Sequence, residues 1–276
     1  MRKPAATPII RGKTERPLGG AFLLSPSDVP ADARAARLDL ERLLADARIP
    51  PALPPGFLDR VEAYVGLLLD ANTRLNLTRV VEPGAVARLH LLDAIAALPF
   101  LDRMEPDRAV DLGSGGGVPG LVLALARPSI AWTLVDSVGK KADALRRFVT
   151  GLALPTVTVI AERAEVVGRD PVLRESFDLV TARACATLPV LAEYALPLLR
   201  TGGGLVAWKG AIAATELADG AAAAGVLGGD GPSVHRSGFE ALGDHRFVSI
   251  AKVSPTPERF PRRPGQPTRL PLGVDT

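Results

Sequence analysis

Apolar positions recur at helical spacing through the first third of the chain, and as short runs of strand length beyond it. Leu40, Leu43, Leu44 and Ala47 fall on one face of a helix that starts near Ala33 and is broken by "IPPALPPG". Phe57, Val61, Tyr64 and Leu68 repeat at i, i+4, i+7 and i+11 and predict a second amphipathic helix. A third is expected over residues 84–97. No strand-like alternation separates the three, so residues 33–105 read as a helical cap.

After Pro106 the rhythm changes. "RAVDL", "AWTLVD", "TVTVI", "FDLVTAR" and "GGLVAWKG" read as buried strands, with helical segments between most of them. Strand and helix alternating at this spacing predict an α/β fold, Rossmann-like, with a central and mostly parallel sheet over residues 106–253. "HRFVSIAKV" reads as an edge strand, and residues 211–232, rich in Ala and Gly, are hard to assign. Residues 1–32 mix Pro, Gly, Ser and basic residues without periodicity and are expected to form a disordered leader.

Composition narrows the class. Hydrophobic residues make up 47% of the 276, enough for a sizeable core. No apolar run reaches bilayer length, and no signal-peptide core follows the basic start. The lone Cys185 can neither close an internal disulfide nor build a metal site. A cytoplasmic protein without membrane or metal is the expectation. The net charge of +3 is unevenly placed: residues 1–16 and 252–276 are both basic around a mildly acidic body. That distribution suits a polyanionic partner, or tails that merely solubilise. The last 25 residues hold six prolines, so they are expected to be extended, with Arg259, Arg262, Arg263 and Arg269 free to meet RNA phosphates.

The candidate chemistry sits in "VDLGSGGGVPG", residues 110–120, with five glycines in eleven positions at the junction of the first strand and the following helix. Such a turn lets a ligand approach backbone amides. A dinucleotide fingerprint would need glycine at the sixth position from Gly113, where Val118 stands. The spacing that fits is acidic-x-G-x-G-x-G, through Asp111, Gly113, Gly115 and Gly117, the pattern of S-adenosylmethionine-dependent methyltransferases. Asp111 suits the cationic end of such a ligand, or caps the loop. Asp136 ends the next strand, where a carboxylate can accept both hydroxyls of a ribose or cap the helix after it.

Together with that loop, "LVDSVGKKADALRRF", "RAE" at 163–165, "TARA" at 181–184 and "WKG" at 208–210 resemble the bacterial small-subunit ribosomal RNA guanine-N7 methyltransferases, also called glucose-inhibited division protein B. "NLT" at 76–78, "HLLDAI" at 90–95 and the basic "PTPERFPRRPGQPTRLPL" extend the resemblance over roughly residues 38–272. It implies S-adenosylmethionine as cofactor, and 16S ribosomal RNA or the small ribosomal subunit as partner. Gly113 and Val118 then stand at first-loop cofactor contacts, with Ala164 and Glu165 where the adenine is held. Arg183 stands at an active-site position that also meets the cofactor, and Lys209 at a strand end able to meet the RNA backbone. The chain departs from the family pattern at Ala71 (usually Trp), at Leu89 (usually Arg, here one place earlier as Arg88) and at Ala94 (usually Ser). Guanine N7 carries a lone pair and no proton, so the implied reaction needs placement more than a general base. Other expectations the residues allow are methylation of another RNA, or an RNA-binding module with a vestigial cofactor site.

Overall fold

The computed structural model describes residues 30–47 and 51–274, so the basic start of the leader lies outside the described residues. Three helices come first: α1 (Ala31–Ala45), α2 (Phe57–Leu75) and α3 (Pro83–Met104). The predicted face of α2 is the buried one: Phe57, Val61, Tyr64 and Leu68 are all in the core. Burying each such side chain contributes about 1.5–3 kcal/mol. The third helix is longer than its pattern suggests. Pro99 sits in the first turn of the closing segment Leu98–Met104, where its missing N–H is tolerated. At 22 residues α3 is long and apolar enough to cross a membrane, yet 67% of its apolar window is buried inside the fold. It is a core helix. Over Ala87–Leu92 it widens to π-helical spacing, beside the site described below.

The strands then follow: β1 (Arg108–Leu112), β2 (Ala131–Val135), β3 (Val157–Ile160), β4 (Phe177–Arg183), β5 (Leu199–Lys209), β6 (Ser233–Arg236) and β7 (Arg246–Ala251). They form one sheet in the order β3-β2-β1-β4-β5-β7-β6, parallel through β5 and antiparallel from β5 to β7 and β6. "HRFVSIAKV" is therefore not the edge strand. It lies inside the sheet, and the edge is the short, exposed β6, whose Ser-Val-His-Arg carries no buried face.

Side chains alternate across the sheet. Ala109, Leu179, Val206 and Phe247 face α1–α3, α4 (Gly120–Ala126) and α5 (Gly139–Gly151). Val110, Val180, Leu205 and Val248 face the opposite layer, where α7 (Leu188–Ala195) packs on α8 (Ala214–Leu227), with α6 (Ala164–Val167) beside them. The Ala/Gly-rich stretch thus forms α8, with Gly220, Ala223 and Ala224 buried in its interface.

The closing segment corrects the expectation of an extended basic tail. Lys252 and Phe260 are buried, and a short helix α9 (Gln266–Arg269) lies against α7. Arg262 is committed to the buried Glu193, while Arg259, Arg263 and Arg269 remain exposed. Proline content predicted an irregular backbone correctly, but not that Phe260 would anchor it. Strand order reverses between β1 and β4, so a crevice opens beyond their carboxyl ends.

Candidate active site

The glycine loop leaves β1 at that crevice. Gly113 has φ +70°, and a Cβ on it would stand 2.9 Å from the Cβ of Cys185, in the loop after β4. Only glycine lets the two strand ends approach so closely. Gly120 opens α4 against Asp111, where an added Cβ would lie 2.7 Å from Oδ2. The helical cap clamps the loop from the other side. Tyr64 Oη donates to the Gly116 carbonyl at 2.9 Å, and burial pushes its pKa up, so it stays a donor.

The loop's amides are largely engaged within the protein. Gly113 and Ser114 donate to the Val135 carbonyl, at 2.9 and 3.0 Å, Gly115 to Asp136 Oδ2 at 2.8 Å, and Gly117 to the Ser114 carbonyl at 2.7 Å. The expected approach of a ligand to bare amides is thus corrected: the glycines give room. That suits a ligand without a pyrophosphate, which has no need of an amide nest.

Next to the loop lies a cleft of about 200 Å³ lined by Gly113, Ser137, Ala164, Glu165, Cys185 and Tyr194, among others. Asp136 stands at its edge, between the lining residues Val135 and Ser137, and accepts from Gly115 N–H and Val138 N–H, one oxygen each, at 2.8 Å. Asp136 does not cap the next helix, whose N-cap is Val138 without a side-chain bond; its oxygens brace the glycine loop and the turn before that helix, and each keeps a second lone pair for a further donor. Asp111 is fully buried instead. Its Oδ1 accepts from Thr181 at 2.7 Å, and Oδ2 has no partner among the described residues. Burial raises its pKa to about 6.

A second cleft, of about 380 Å³, opens on the far side of residues 183–185. Val80, Leu89, His90 and Asp93 line it from the cap, and Arg183, Trp208, Lys209 and His245 from the sheet ends. Arg183 Nη1 donates to the Leu89 carbonyl at 2.6 Å and to Asp93 Oδ2 at 3.3 Å. Its Nη2 donates to His90 Nδ1 at 3.3 Å. A guanidinium has no lone pair to offer, so His90 carries its proton on Nε2 and donates it to Thr78 Oγ1, 2.8 Å away. Burial, with the Arg183 charge second, lowers the His90 pKa to about 4, which keeps the ring neutral. Asp93 is the hub: Oδ1 accepts from His245 Nδ1 at 3.0 Å, and its carbonyl from Trp208 Nε1 at 2.8 Å.

A family model for GidB, the rRNA small subunit methyltransferase G, matches residues 58–240. The ribosomal RNA small subunit methyltransferase G of Moorella thermoacetica is 39% identical over 239 residues, covering 85% of this chain and 99% of that one. Its counterpart in Chloroflexus aggregans is 44% identical over 217 residues, 76% and 88% of the two chains. The chain belongs to the rRNA small subunit methyltransferase G family. It is an enzyme, an S-adenosylmethionine-dependent methyltransferase. The fold agrees: a crystal structure of a proposed O-methyltransferase from Klebsiella pneumoniae superposes with TM-score 0.51 at 16% identity, covering 81% of this chain and 99% of that one.

Within this family frame the anticipated residues divide between the two clefts. Gly113, Ala164 and Glu165 line the first, with Asp136 on its edge. Gly115 serves through its N–H on Asp136, and Val118 packs in the core behind the loop. Arg183 lines the second cleft, not the first, and its neighbour Cys185 lines the first. Lys209 is turned inward, its Nζ on the Ala186 carbonyl (2.9 Å) and Glu216 (2.7 Å). The departures fall in the cap: Ala71 and Ala94 are buried, and Leu89 supplies the carbonyl that Arg183 holds. Tyr194 and His245 had no sequence signal. Asp93 stood in "HLLDAI", but its three partners could not be read from spacing.

Proposed function

We propose that this methyltransferase transfers the methyl group of S-adenosylmethionine to N7 of a guanine in 16S ribosomal RNA, as naked RNA or within the small subunit in the cytoplasm. The observation that carries the proposal is the pair of clefts meeting at residues 183–185, one walled by carboxylates and the other by Arg183. The residues of the first cleft fit the cofactor: Gly113 leaves space that a Cβ would fill, and Asp136 and Glu165 present acceptors for a ribose and an amine.

S-adenosylmethionine, when bound, supplies the methyl group on a sulfonium. Gly113, Gly115 and Val118 shape the loop, Asp136 accepts from the ribose, and Ala164 and Glu165 hold the adenine. The helical cap, residues 33–105, and the domain over 106–253 each contribute one wall of the second cleft, which takes the base. Arg183 keeps Nε–H and one Nη2–H beyond the contacts above, two donors for the guanine edge. Guanine N7 carries a lone pair and no proton, and the cofactor would leave as its neutral thioether, S-adenosylhomocysteine, so neutral His90 has no proton to remove. Its task is to hold Arg183. Asp93 offsets the Arg183 charge, so a base that gains positive charge does not face an uncompensated cation. Positioning of this kind can lower the barrier by several kcal/mol.

Purified protein incubated with 16S ribosomal RNA and S-adenosylmethionine should yield 7-methylguanosine in a nucleoside digest read by mass spectrometry. Methyl appearing on another base or position, or none appearing, would sink the proposal.

A further inference from the structure

The closing segment is fastened firmly at its beginning and touches the cofactor cleft at its end. Arg174 donates to the Phe260 carbonyl at 2.7 Å and the Thr256 carbonyl at 2.8 Å, and Arg169 to the Pro261 carbonyl at 2.7 Å. The Phe260 side chain is buried in the core beneath α7. Glu193, fully buried on α7, takes both the backbone N–H of Arg262 (2.8 Å) and its guanidinium (2.6–3.0 Å). A buried carboxylate without its cation is strongly unfavourable, so this pair fixes the segment in place.

Beyond that anchor come two contacts of another kind. Gly265 N–H donates to Glu165 Oε1 at 2.8 Å, and Thr268 Oγ1 lies 3.0 Å from Tyr194 Oη. Glu165 and Tyr194 both line the first cleft. With Oε1 so engaged, Glu165 Oε2 has no protein hydrogen-bond partner among the described residues and is the atom left for a ligand.

We propose that residues 254–272 are a strap whose far end sets cofactor affinity, with Gly265 and Thr268 as positioning residues for Glu165 and Tyr194. The proposal rests on the first cleft being the S-adenosylmethionine site. Docking of the strap end and filling of the cleft are then coupled, and coupling is reciprocal: the ligand must hold the strap as the strap holds the ligand.

A chain ending at Pro264 keeps the Phe260 and Arg262 anchors and removes both cleft contacts. Calorimetry should show S-adenosylmethionine binding weakened about tenfold, the loss of a hydrogen bond to a charged wall. The rate at saturating cofactor should stay within about twofold, since no group near the acceptor base is lost. Thr268→Val should show a smaller part of the same effect. In the full chain, S-adenosylhomocysteine should slow tryptic cleavage after the exposed Arg269 several-fold. Unchanged affinity in the shortened chain, with only a lower melting temperature, would mean a plain structural brace and overturn the strap. A cleavage rate indifferent to S-adenosylhomocysteine would overturn it as well, and needs no variant to fold. Gly113→Val separates the two layers of the argument. If it abolishes binding while the shortened chain binds normally, the strap alone fails; if it leaves binding intact, the site assignment fails and the strap with it.

Discussion

Asp136 uses its two oxygens on two backbone amides, and the proposed ribose contact would be a second task for the same side chain. Removing it in Asp136→Ala frees Gly115 N–H and Val138 N–H and deletes the proposed ribose acceptor at once. S-adenosylmethionine affinity should fall by about 1.5–3 kcal/mol, the range for hydrogen bonds to a charged group. Calorimetry on the folded variant checks this, and unchanged affinity would leave the carboxylate with no part in the ligand. Gly113 works by absence. Valine there would need a left-handed backbone and would press on Cys185, so Gly113→Val should abolish methyl transfer and cofactor binding while far-UV circular dichroism stays native. Wild-type turnover in that variant would remove the loop from the site.

At the scale of elements, α2 shows how the cap and the loop depend on each other. Tyr64→Phe keeps the ring packing but strands the Gly116 carbonyl, and should lower stability by about 1–2 kcal/mol in urea titrations. No loss would mean that water serves the carbonyl equally well. This helix was legible in the sequence because its buried face repeats at 3.6 residues, and β1 to β5 were legible as apolar runs. The β6 edge was not, since none of its four residues is buried and the strand shows no apolar side. Nor was α8, whose Ala and Gly pack closely without an amphipathic stripe of large side chains. For the site, Asp136 follows from its place at a strand end, and Glu165 from the family resemblance alone. The grouping of Arg183, His90 and His245 around Asp93 needed the fold, because those residues come from α3, the end of β4 and the turn before β7. The closing segment misled for the same reason: proline excludes regular ladders, but it says nothing of a buried glutamate waiting on another helix.

For the whole molecule, two buried groups oppose each other in acid. His90 has its pKa lowered to about 4, so the unfolded chain takes up a proton below pH 6.5 that the folded chain refuses; its stability contribution is full above 6.5 and lost as pH falls towards 4. Asp111, raised to about 6, acts the other way between pH 6 and its ordinary 3.8, where the folded state binds the proton more tightly. Asp111→Asn should therefore steepen acid destabilisation, exposing an His90 effect of about 3 kcal/mol between pH 6.5 and 4 in urea titrations. An unchanged slope would remove Asp111 from the balance. Charge outside the core matters for RNA instead. Arg79 and Arg88 are exposed next to Val80 and Leu89, which line the second cleft. Arg79→Ala with Arg88→Ala should weaken RNA binding and flatten its log–log salt slope by roughly one unit per lost phosphate contact, leaving S-adenosylmethionine affinity unchanged. An unaltered slope would place the RNA on another face. The position of the strap in the chain has a consequence in time. A polypeptide grows from its amino end, and residues 254–272 leave the ribosome after all seven strands. Until then Glu165 and Tyr194 lack their partners, so under the proposed strap a nascent chain would complete its sheet and still hold cofactor weakly. Products of premature termination after β7 would share that defect, folded in outline and poor competitors for the cell's S-adenosylmethionine.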